Sequence, residues 1–165
     1  MVVIVCGLPG SGKSYFASQL ASVLHAEYIN SDKLRKELGA SGKYSLGDRL
    51  AIYDELVRVA SELLKQSRTV VVDATFYLDS MRRMFQSGVR QWCSEIICIH
   101  VFADESLIRE RLSKPRTDSE ADYKVYLYLK DQFEKIEDPH LEIESTNDNL
   151  TSMLDKAMAY INGLK

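Results

Sequence analysis

The amino-acid sequence is poor in cysteine, proline and tryptophan, and it lacks any long apolar run. Its 165 residues include 3 cysteines, 3 prolines and 1 tryptophan. An odd number of cysteines without CxxC spacing does not build a disulfide framework, and we expect buried, reduced thiols instead. No apolar run approaches the roughly 20 residues of a membrane-spanning helix, and the apolar run at residues 2–6 is too short for a signal peptide. These absences favour a soluble, cytoplasmic protein.

An excess of positive charge is also missing. The sequence has 21 lysines and arginines against 24 aspartates and glutamates, which gives a formal net charge of -3. A global basic field that steers long nucleic acids to the surface is therefore excluded, although a local basic cluster could hold a phosphate. His25, His100 and His140 show no metal-ligand spacing along the sequence, and we assign none of them a catalytic role.

Short β-branched segments alternate along the chain with longer segments of helical period. This pattern is typical of a parallel sheet covered by helices, so the predicted class is α/β. The chain is long enough for one substantial core and too short for two ordinary domains, and we predict a single domain over residues 1–165. Apolar stripes within residues 16–24, 53–64 and 150–161 are predicted to be the core faces of helices. The predicted strands are residues 2–6, 28–29, 69–73, 96–102 and 141–144.

The strongest motif is GLPGSGKS at residues 7–14, which matches G-x-x-x-x-G-K-[ST] and lies between the first strand and the first helix. Glycines in such a loop let backbone N–H groups converge on phosphate oxygens, and the following helix directs its positive end at the same anion. The motif predicts a P-loop NTPase that binds ATP, or GTP, together with Mg2+. Lys13 is expected to reach the β- and γ-phosphates, and Ser14 is expected to ligate Mg2+. The predicted nucleotide-binding residues here are Leu8, Pro9, Gly10, Ser11, Gly12, Lys13, Ser14 and Tyr15.

A second motif, INSDKLRKEL at residues 29–38, follows the second predicted strand. Asp32 and Arg35 are three residues apart, so they are neighbours on one helical turn. Ligands gather at the carboxyl ends of parallel strands, which places this turn beside the phosphate loop. A carboxylate there can accept a proton from an attacking hydroxyl, and the guanidinium can clamp an acceptor phosphate or the transferring group. The alternative is that Ser31 or Asp32 is a helix N-cap and that Arg35 is solvated.

Both motifs, together with VVVDATFYLDSMRR at residues 70–83, resemble the polynucleotide 5'-kinase-like P-loop kinases, whose relatives include seryl-tRNA kinases. The resemblance covers most of the chain. It implies a five-stranded parallel sheet with helices on both faces and a helical lid at about residues 105–135. It also implies that Asp32 is the general base of the reaction and that Arg35 contacts the acceptor.

Asp73 ends the third predicted strand after three valines, which is the position of a Walker B acid. Its carboxylate could hold Mg2+ through water, while the family resemblance equally allows a contact with the acceptor. A helix-capping or turn aspartate is the purely structural alternative. Arg82 and Arg83 follow on a helix that we expect to start near residues 79–80. Either one of them contacts the acceptor, or both belong to a solvated helix face.

A basic cluster of Arg109, Arg111, Lys114 and Arg116 follows the fourth predicted strand and resembles the lid of the same family. Phosphoryl transfer needs positive charge over the phosphate oxygens, and a closing lid delivers that charge while it excludes water. Arg111 and Arg116 are the predicted lid residues, and Arg111 is also predicted to bind the nucleotide. Alternatively, these side chains are ordinary solvated charges. The loop at residues 145–148 is expected either to approach the nucleotide base or to cap the last helix.

The motifs together predict an ATP-dependent kinase that moves the γ-phosphate to an acceptor hydroxyl. The leading acceptor is the 5'-hydroxyl of a polynucleotide, although the negative charge of the chain argues against a long strand. The alternatives are a hydroxyl carried on tRNA or on a small metabolite, and a nucleotide-gated regulatory ATPase. The predicted catalytic residues are Lys13, Asp32, Arg35, Arg111 and Arg116, and the predicted metal ligands are Ser14 and Asp73.

Overall fold

The structure, a computed structural model, describes residues 1–114 and 121–164. Five strands and seven helices follow one another along these residues. All five predicted strands are present, and their ends differ from the prediction by at most one residue. The elements in chain order are β1 (Val2–Cys6), α1 (Lys13–Val23), β2 (Glu27–Asn30), α2 (Ser31–Glu37), α3 (Leu46–Lys65), β3 (Val70–Asp73), α4 (Asp79–Val89), β4 (Ile96–Phe102), α5 (Glu105–Ser113), α6 (Tyr123–Asp131), β5 (Leu141–Glu144) and α7 (Leu150–Gly163).

The five strands form one parallel sheet in the order β2-β3-β1-β4-β5. The first strand of the chain is therefore the central one, and each of its residues is fully buried. The chain runs from β1 to β2 and β3 on one side of it and then crosses through α4 to β4 and β5 on the other side. This change of side places a crevice outside the carboxyl ends of the strands. The loop after β1 lies at this crevice, as the sequence predicts.

Helices cover both faces of the sheet, in agreement with the predicted fold class. On one face, α1 and α7 bury Phe16, Leu20 and Ile161 against Val3 and Val5 of β1. Helices α2, α3, α4 and α6 contribute to the larger core on the opposite face. Within the described residues, no helix is both long and apolar enough to cross a lipid bilayer.

The apolar stripe of α1 differs from the prediction at one position. Val23 is exposed, whereas Ala17 and Ala21 are buried beside Phe16 and Leu20. Successive residues turn about 100° around the helix axis, so Val23 points only about 20° away from Phe16, almost two turns further along α1. The prediction was wrong for Val23 because the helical period gives the direction of a side chain and not whether another element covers it at the end of the helix.

Polar side chains determine where most helices begin. The Asn30 side chain accepts a hydrogen bond from the Lys33 amide at the start of α2, and Asp104 and Asp122 cap α5 and α6 in the same way. Ser45 forms a reciprocal capping box with Asp48 at the start of α3. Each cap satisfies backbone donors that a helix leaves unpaired in its first turn.

Arg82 is part of the protein core and not of a ligand site. It is 2% exposed, and its Nη1 donates to the Phe76 carbonyl at 2.7 Å. Its Nη2 donates to the carbonyls of Lys135 and Glu134, at 3.0 and 3.1 Å. Arg82 thus joins α4 to the segment between α6 and β5, so neither an acceptor contact nor a solvated position describes it. Arg83 is exposed and pairs with Asp79.

The three cysteines are buried free thiols, which confirms the prediction. Cys6 and Cys98 lie on neighbouring strands with their Sγ atoms 4.0 Å apart. The Cys98 thiol and burial together raise the pKa of Cys6 well above its ordinary value, so this thiol stays protonated and packs as an apolar group.

The adjacent residues Arg82 and Arg83 of α4 provide a test of the assignment of Arg82 to the protein core. Arg82→Met should lower the free energy of unfolding by about 3 kcal/mol, since three carbonyls lose hydrogen bonds worth about 1 kcal/mol each. Arg83→Met is the matched control and should leave the denaturation midpoint nearly unchanged. Urea denaturation of both variants measures the difference, and equal losses would contradict the assignment.

Candidate active site

The loop from residue 7 to residue 12 joins β1 to α1 and is held close to the sheet. Gly7 donates its N–H to the Thr75 carbonyl at 3.3 Å, beyond the end of β3. It has φ +149°, and a Cβ at this position would lie 2.2 Å from the Val101 carbonyl oxygen of β4. Only glycine fits this place, and the loop backbone consequently lies directly over the carboxyl ends of β1, β3 and β4.

The first turn of α1 faces the same crevice. Gly12 precedes the helix with φ +87°, and no side chain caps the helix among the described residues. The backbone N–H groups of this turn are therefore available to an external acceptor, and the helix dipole favours an anion there. This is the local structure that the glycine-rich motif predicts.

A pocket that is open to solvent lies beside this loop. Pro9, Lys13 and Ser14 line it on the side of the phosphate loop. Asp32 and Arg35 of α2 line it as well. The two motifs that the sequence predicts to face each other are thus brought together across one cavity.

The structure of α2 excludes two alternatives, namely that Ser31 or Asp32 is the helix N-cap and that Arg35 is solvated. Asn30, and neither Ser31 nor Asp32, is the N-cap of α2. Arg35 is only 8% exposed, with its guanidinium 4.7 Å from the centre of the Tyr44 ring and its Nη1 donating to the Lys43 carbonyl at 2.7 Å. Arg35 is therefore a buried wall of the pocket, and capping does not account for Asp32.

Asp73 is fully buried at the end of β3, next to the phosphate loop. Its Oδ2 accepts hydrogen bonds from the Tyr28 hydroxyl at 2.7 Å and from Asn30 Nδ2 at 2.5 Å. Burial and the Asp73 carboxylate raise the pKa of Tyr28 above its ordinary value, so the hydroxyl stays protonated and remains a donor. Asp73 begins no helix, so a capping role does not explain it.

Three buried polar atoms around the crevice have no hydrogen-bond partner within residues 1–114 and 121–164. They are Ser11 Oγ in the loop, Asp73 Oδ1 at the end of β3, and Arg35 Nε in the pocket wall. Buried polar groups are rarely left unpaired in proteins. Their concentration at one edge of the sheet indicates a place that is completed by a bound ligand.

The remaining loop residues have different surroundings. Leu8 is half-buried and packs both against the main core and against the small cluster of Ile108 and Leu112 in α5. Tyr15, in contrast, is 65% exposed on the first turn of α1. Any contact of Tyr15 with the nucleotide therefore belongs to its backbone or to an exposed side chain.

Arg111 in α5 connects the phosphate loop to the loop after β5. Its guanidinium donates to the Gly10 carbonyl at 3.1 Å and to the Thr146 carbonyl at 3.0 Å, and it also contacts Ser145 and Asn147. Burial lowers the pKa of Arg111 from its ordinary value. Arg111 does not line the pocket that contains Asp32. It lies instead on the side of the 145–148 loop.

The other basic residues of the predicted lid lie further from the phosphate loop or outside the described residues. Arg109 donates to the Tyr123 hydroxyl at 3.0 Å and holds α5 against α6. Lys114 pairs with Glu110 on the surface of α5. Arg116 falls within residues 115–120, which the structure does not describe.

Two pocket residues, Arg49 and Tyr77, were missed by sequence reasoning. Arg49 on the first turn of α3 donates from Nη1 to the Tyr77 hydroxyl at 3.0 Å and from Nε to the Tyr44 carbonyl at 3.1 Å. Both tyrosines line the pocket with it. The sequence offers only an indirect signal for them, namely the polar segment just before Arg49 and the position of Tyr77 shortly after a strand end.

Comparison with known families identifies the class of protein. Residues 2–136 match the model of the AAA domain family, and the chain belongs to this family. The match includes the phosphate loop, α2 and β3, so the family covers the motifs that build the site. The fold is that of a P-loop kinase, as its similarity to solved kinase structures shows.

The segments that match this chain are only a part of each sequence relative. An uncharacterised protein of Mycobacterium tuberculosis is 32% identical in an alignment over 123 residues that covers 67% of this chain and 25% of that protein. A bifunctional polynucleotide phosphatase/kinase of Schizosaccharomyces pombe is 27% identical over 108 residues, which are 66% of this chain and 22% of that protein. The chain spans about a quarter of the length of these relatives.

Solved kinases share the fold over nearly the whole chain. A gluconokinase of Sinorhizobium meliloti superposes with a TM-score of 0.76 at 18% identity and covers 99% of this chain and 92% of its own. The APS kinase CysC of Mycobacterium tuberculosis, in complex with AMPPNP and APS, has a TM-score of 0.74 at 19% identity, with coverages of 98% and 96%. Chaetomium thermophilum Kti12 in complex with ADP-AlF3 has a TM-score of 0.73 at 18% identity, with coverages of 98% and 99%.

The close packing around Gly12 leads to a test of the loop. A Cβ on Gly12 would lie 2.5 Å from Ser145 Oγ and 3.3 Å from Arg111 Nη1. Gly12→Ala should therefore displace the first turn of α1 and weaken the binding of fluorescent ADP by about tenfold or more. Gly39→Ala is the matched control, because Gly39 also has a positive φ but a Cβ there would meet no atom within 4 Å. It should destabilise the fold slightly without changing the affinity. Unchanged ADP binding by Gly12→Ala would contradict the placement of the loop.

Proposed function

We propose that the protein is an ATP-dependent kinase that transfers the γ-phosphate to an acceptor hydroxyl. The observation that carries the proposal is that Lys13 and Ser14 of the phosphate loop and Asp32 of α2 line one pocket. An ATPase needs a phosphate loop, but it does not need a carboxylate and a buried arginine on the far side of the crevice. A kinase needs both, because it must bind and deprotonate a second substrate.

In the proposed reaction, the acceptor oxygen attacks the γ-phosphorus while the bond to the bridging β–γ oxygen breaks and ADP leaves. The hydroxyl proton passes to the Asp32 carboxylate. Lys13 and the first-turn amides of α1 stabilise the negative charge that develops on the phosphate oxygens. Because Gly7 holds the loop against β4 and Thr75, these groups are oriented before the substrate binds.

The residues at the crevice fit Mg2+. Asp73 keeps Oδ1 without a partner among the described residues, while Tyr28 and Asn30 fix the carboxylate through Oδ2. An oriented carboxylate oxygen next to the phosphate loop suits a hard cation with its water shell, and Ser14 supplies a hydroxyl from the same side. Bound Mg2+ would neutralise phosphate charge. These contacts favour a metal-binding role for Asp73 over a contact with the acceptor.

Helices α5 and α6 are the elements that we assign as the lid. They lie within about residues 105–135 of one kinase domain. Arg111 contacts the phosphate loop and the 145–148 loop on the side away from Asp32, which supports nucleotide binding by Arg111 more than direct catalysis. Arg116 remains our candidate for the catalytic lid arginine.

The pocket wall indicates an acceptor with negative charge and a flat ring. Arg35 and Arg49 supply two guanidinium groups, and Tyr44 and Tyr77 supply aromatic surface next to them. A nucleic acid 5' end carries a base and a backbone phosphate close to its 5'-hydroxyl, which matches this wall. The similarity to the S. pombe polynucleotide phosphatase/kinase supports the same acceptor.

A small anionic metabolite is the second candidate acceptor, and a hydroxyl carried on tRNA is a variant of the first. Val125 and Leu129 of α6 also line the pocket, so part of its wall is apolar and carries no charge for a nucleic acid backbone. The chain also carries a net charge of -3, which does not favour a long strand. Gluconokinase and APS kinase, both named for small substrates, share the fold.

An acceptor panel with γ-labelled ATP and Mg2+ separates these functions. It contains a 5'-hydroxyl oligonucleotide, a nucleoside 3'-monophosphate, serine-charged tRNA and a sugar acid. Label on the oligonucleotide and on the nucleoside 3'-monophosphate is the expected result, since the latter contains both the hydroxyl and the backbone phosphate. Label on the sugar acid alone would favour the metabolite kinase. Release of free phosphate with no labelled acceptor would contradict the kinase proposal and favour a regulatory ATPase.

Asp32→Asn tests the general base. The amide keeps the shape of the side chain but accepts no proton, so kcat should fall by about 10²- to 10⁴-fold, while ADP affinity stays near that of the wild type. Asp54→Asn, at an exposed position of α3, is the matched control and should retain full activity. Near-normal turnover of Asp32→Asn would remove Asp32 from this role.

Arg49→Gln tests the charged wall of the pocket. A hydrogen bond to a charged group contributes about 1.5–3 kcal/mol, so the KM for an anionic acceptor should rise by about tenfold or more while the KM for ATP is unchanged. Arg58→Gln, on the exposed side of the same helix, should change neither constant. Steady-state kinetics with both substrates varied provides the measurement, and an increase confined to the KM for ATP would contradict the assignment.

A further inference from the structure

A second cluster of polar side chains lies at the β4–β5 edge of the sheet, apart from the proposed kinase site. His100 on β4 and Glu142 on β5 are paired in register, and His140 directly precedes β5. His100 Nδ1 lies 3.5 Å from Glu142 Oε1, and His140 Nε2 lies 3.7 Å from the same oxygen. One ligand atom from each of the three residues lies within 4.8 Å of the other two.

These spacings match those of a bound transition-metal ion. Tetrahedral Zn2+ with bonds of about 2.0–2.1 Å to nitrogen and oxygen places its ligand atoms roughly 3.4 Å apart. The two contacts to Glu142 are within a few tenths of an ångström of that value. Small side-chain rotations would therefore bring all three ligand atoms to bonding distance from one ion.

The orientation of His140 provides an independent indication. Its Nδ1 lies 2.8 Å from the Asp138 carbonyl oxygen, which can only accept, so Nδ1 carries the hydrogen. The lone pair of a neutral ring is then on Nε2, the atom that faces Glu142. Metal-binding histidines are commonly oriented by this kind of hydrogen bond from the other ring nitrogen to a carbonyl.

The surroundings of His100 favour the same role. Its ring stacks on Phe133 with 5.3 Å between the ring centres, which fixes its position. Glu142 is 63% exposed, which leaves the cluster open to an ion from solvent.

We propose that His100, His140 and Glu142 form a binding site for one divalent transition-metal ion, with Zn2+ as the expected ion. Two imidazole nitrogens and one carboxylate oxygen suit Zn2+ and not Mg2+, which prefers oxygen ligands only. The site is therefore separate from the Mg2+ that the proposed kinase reaction requires. His100 is far along the chain from His140 and Glu142, and the β4–β5 register brings it to them.

The ion would connect the sheet edge to the segment between α6 and β5. That segment includes Phe133, which stacks on His100, and the two carbonyls that Arg82 holds. A bound ion adds a link between β4 and the start of β5 at the end of the same segment. Binding to the folded state alone raises its stability by mass action.

Zn2+ titration of the chelator-treated protein tests the proposal without any activity measurement. Isothermal calorimetry should show one equivalent of Zn2+ bound, and the unfolding temperature should rise with Zn2+ concentration. His140→Gln and Glu142→Gln should each weaken Zn2+ binding by about 10- to 100-fold. Because Glu142 is exposed, its variant tests the site without a loss of folding.

His25→Asn is the matched control, since His25 is the remaining histidine of the chain and is exposed with φ 50°, a conformation that asparagine tolerates. It should bind Zn2+ like the wild type. Absence of saturable binding, or equal binding by the wild type and both ligand variants, would overturn the proposal, as would a loss of binding confined to His25→Asn. ADP binding should be the same in all variants, so this result is independent of the proposed kinase function.

Discussion

The contact between Gly7 and the backbone of β4 is the constraint on which the site depends. Gly7 lies so close to the Val101 carbonyl that no side chain fits between them, and its N–H is bonded to Thr75 beyond β3. The phosphate loop is therefore held from both neighbouring strands of β1. This fixes the start of α1, and with it Lys13 and Ser14, relative to Asp73 at the end of β3. The position of the loop follows from the sheet and not from the ligand.

The opposite wall of the pocket is built on two guanidinium groups, of which that of Arg35 is buried and that of Arg49 is half-buried. Arg35 is held by the Lys43 carbonyl and the Tyr44 ring, and Arg49 is held by Tyr44 and Tyr77. Protein oxygens and aromatic faces thus orient both cations before any acceptor binds. The entropy of ordering two long side chains is lost on folding, so it is not lost again when an anionic acceptor binds.

Patterns among residues that are neighbours in the sequence predicted the fold and the site residues near the starts of α1 and α2. Five strands, the glycine-rich loop and the Asp32–Arg35 turn all depend on residues that are neighbours in the sequence, and the structure places them as expected. Long-range contacts were not predictable. Arg82 and Arg83 are identical residues one step apart, and their angle on α4 alone decides which is buried. The pairing of His100 with Glu142, like that of Asn30 with Asp73, is set by strand register, which local patterns do not encode.

Arg111 limits how the α5–α6 segment can move. One guanidinium binds the carbonyls of Gly10 and Thr146, so the segment of α5 around Arg111 is tied to the loops after β1 and β5 at once. Swinging this part of α5 outward would break both hydrogen bonds in a half-buried place, where they are strong. Arg109, two residues earlier on α5, donates to the Tyr123 hydroxyl of α6. The C-terminal part of α5 therefore links α6 to the loops after β1 and β5, so a ligand that displaced either loop would also shift α6.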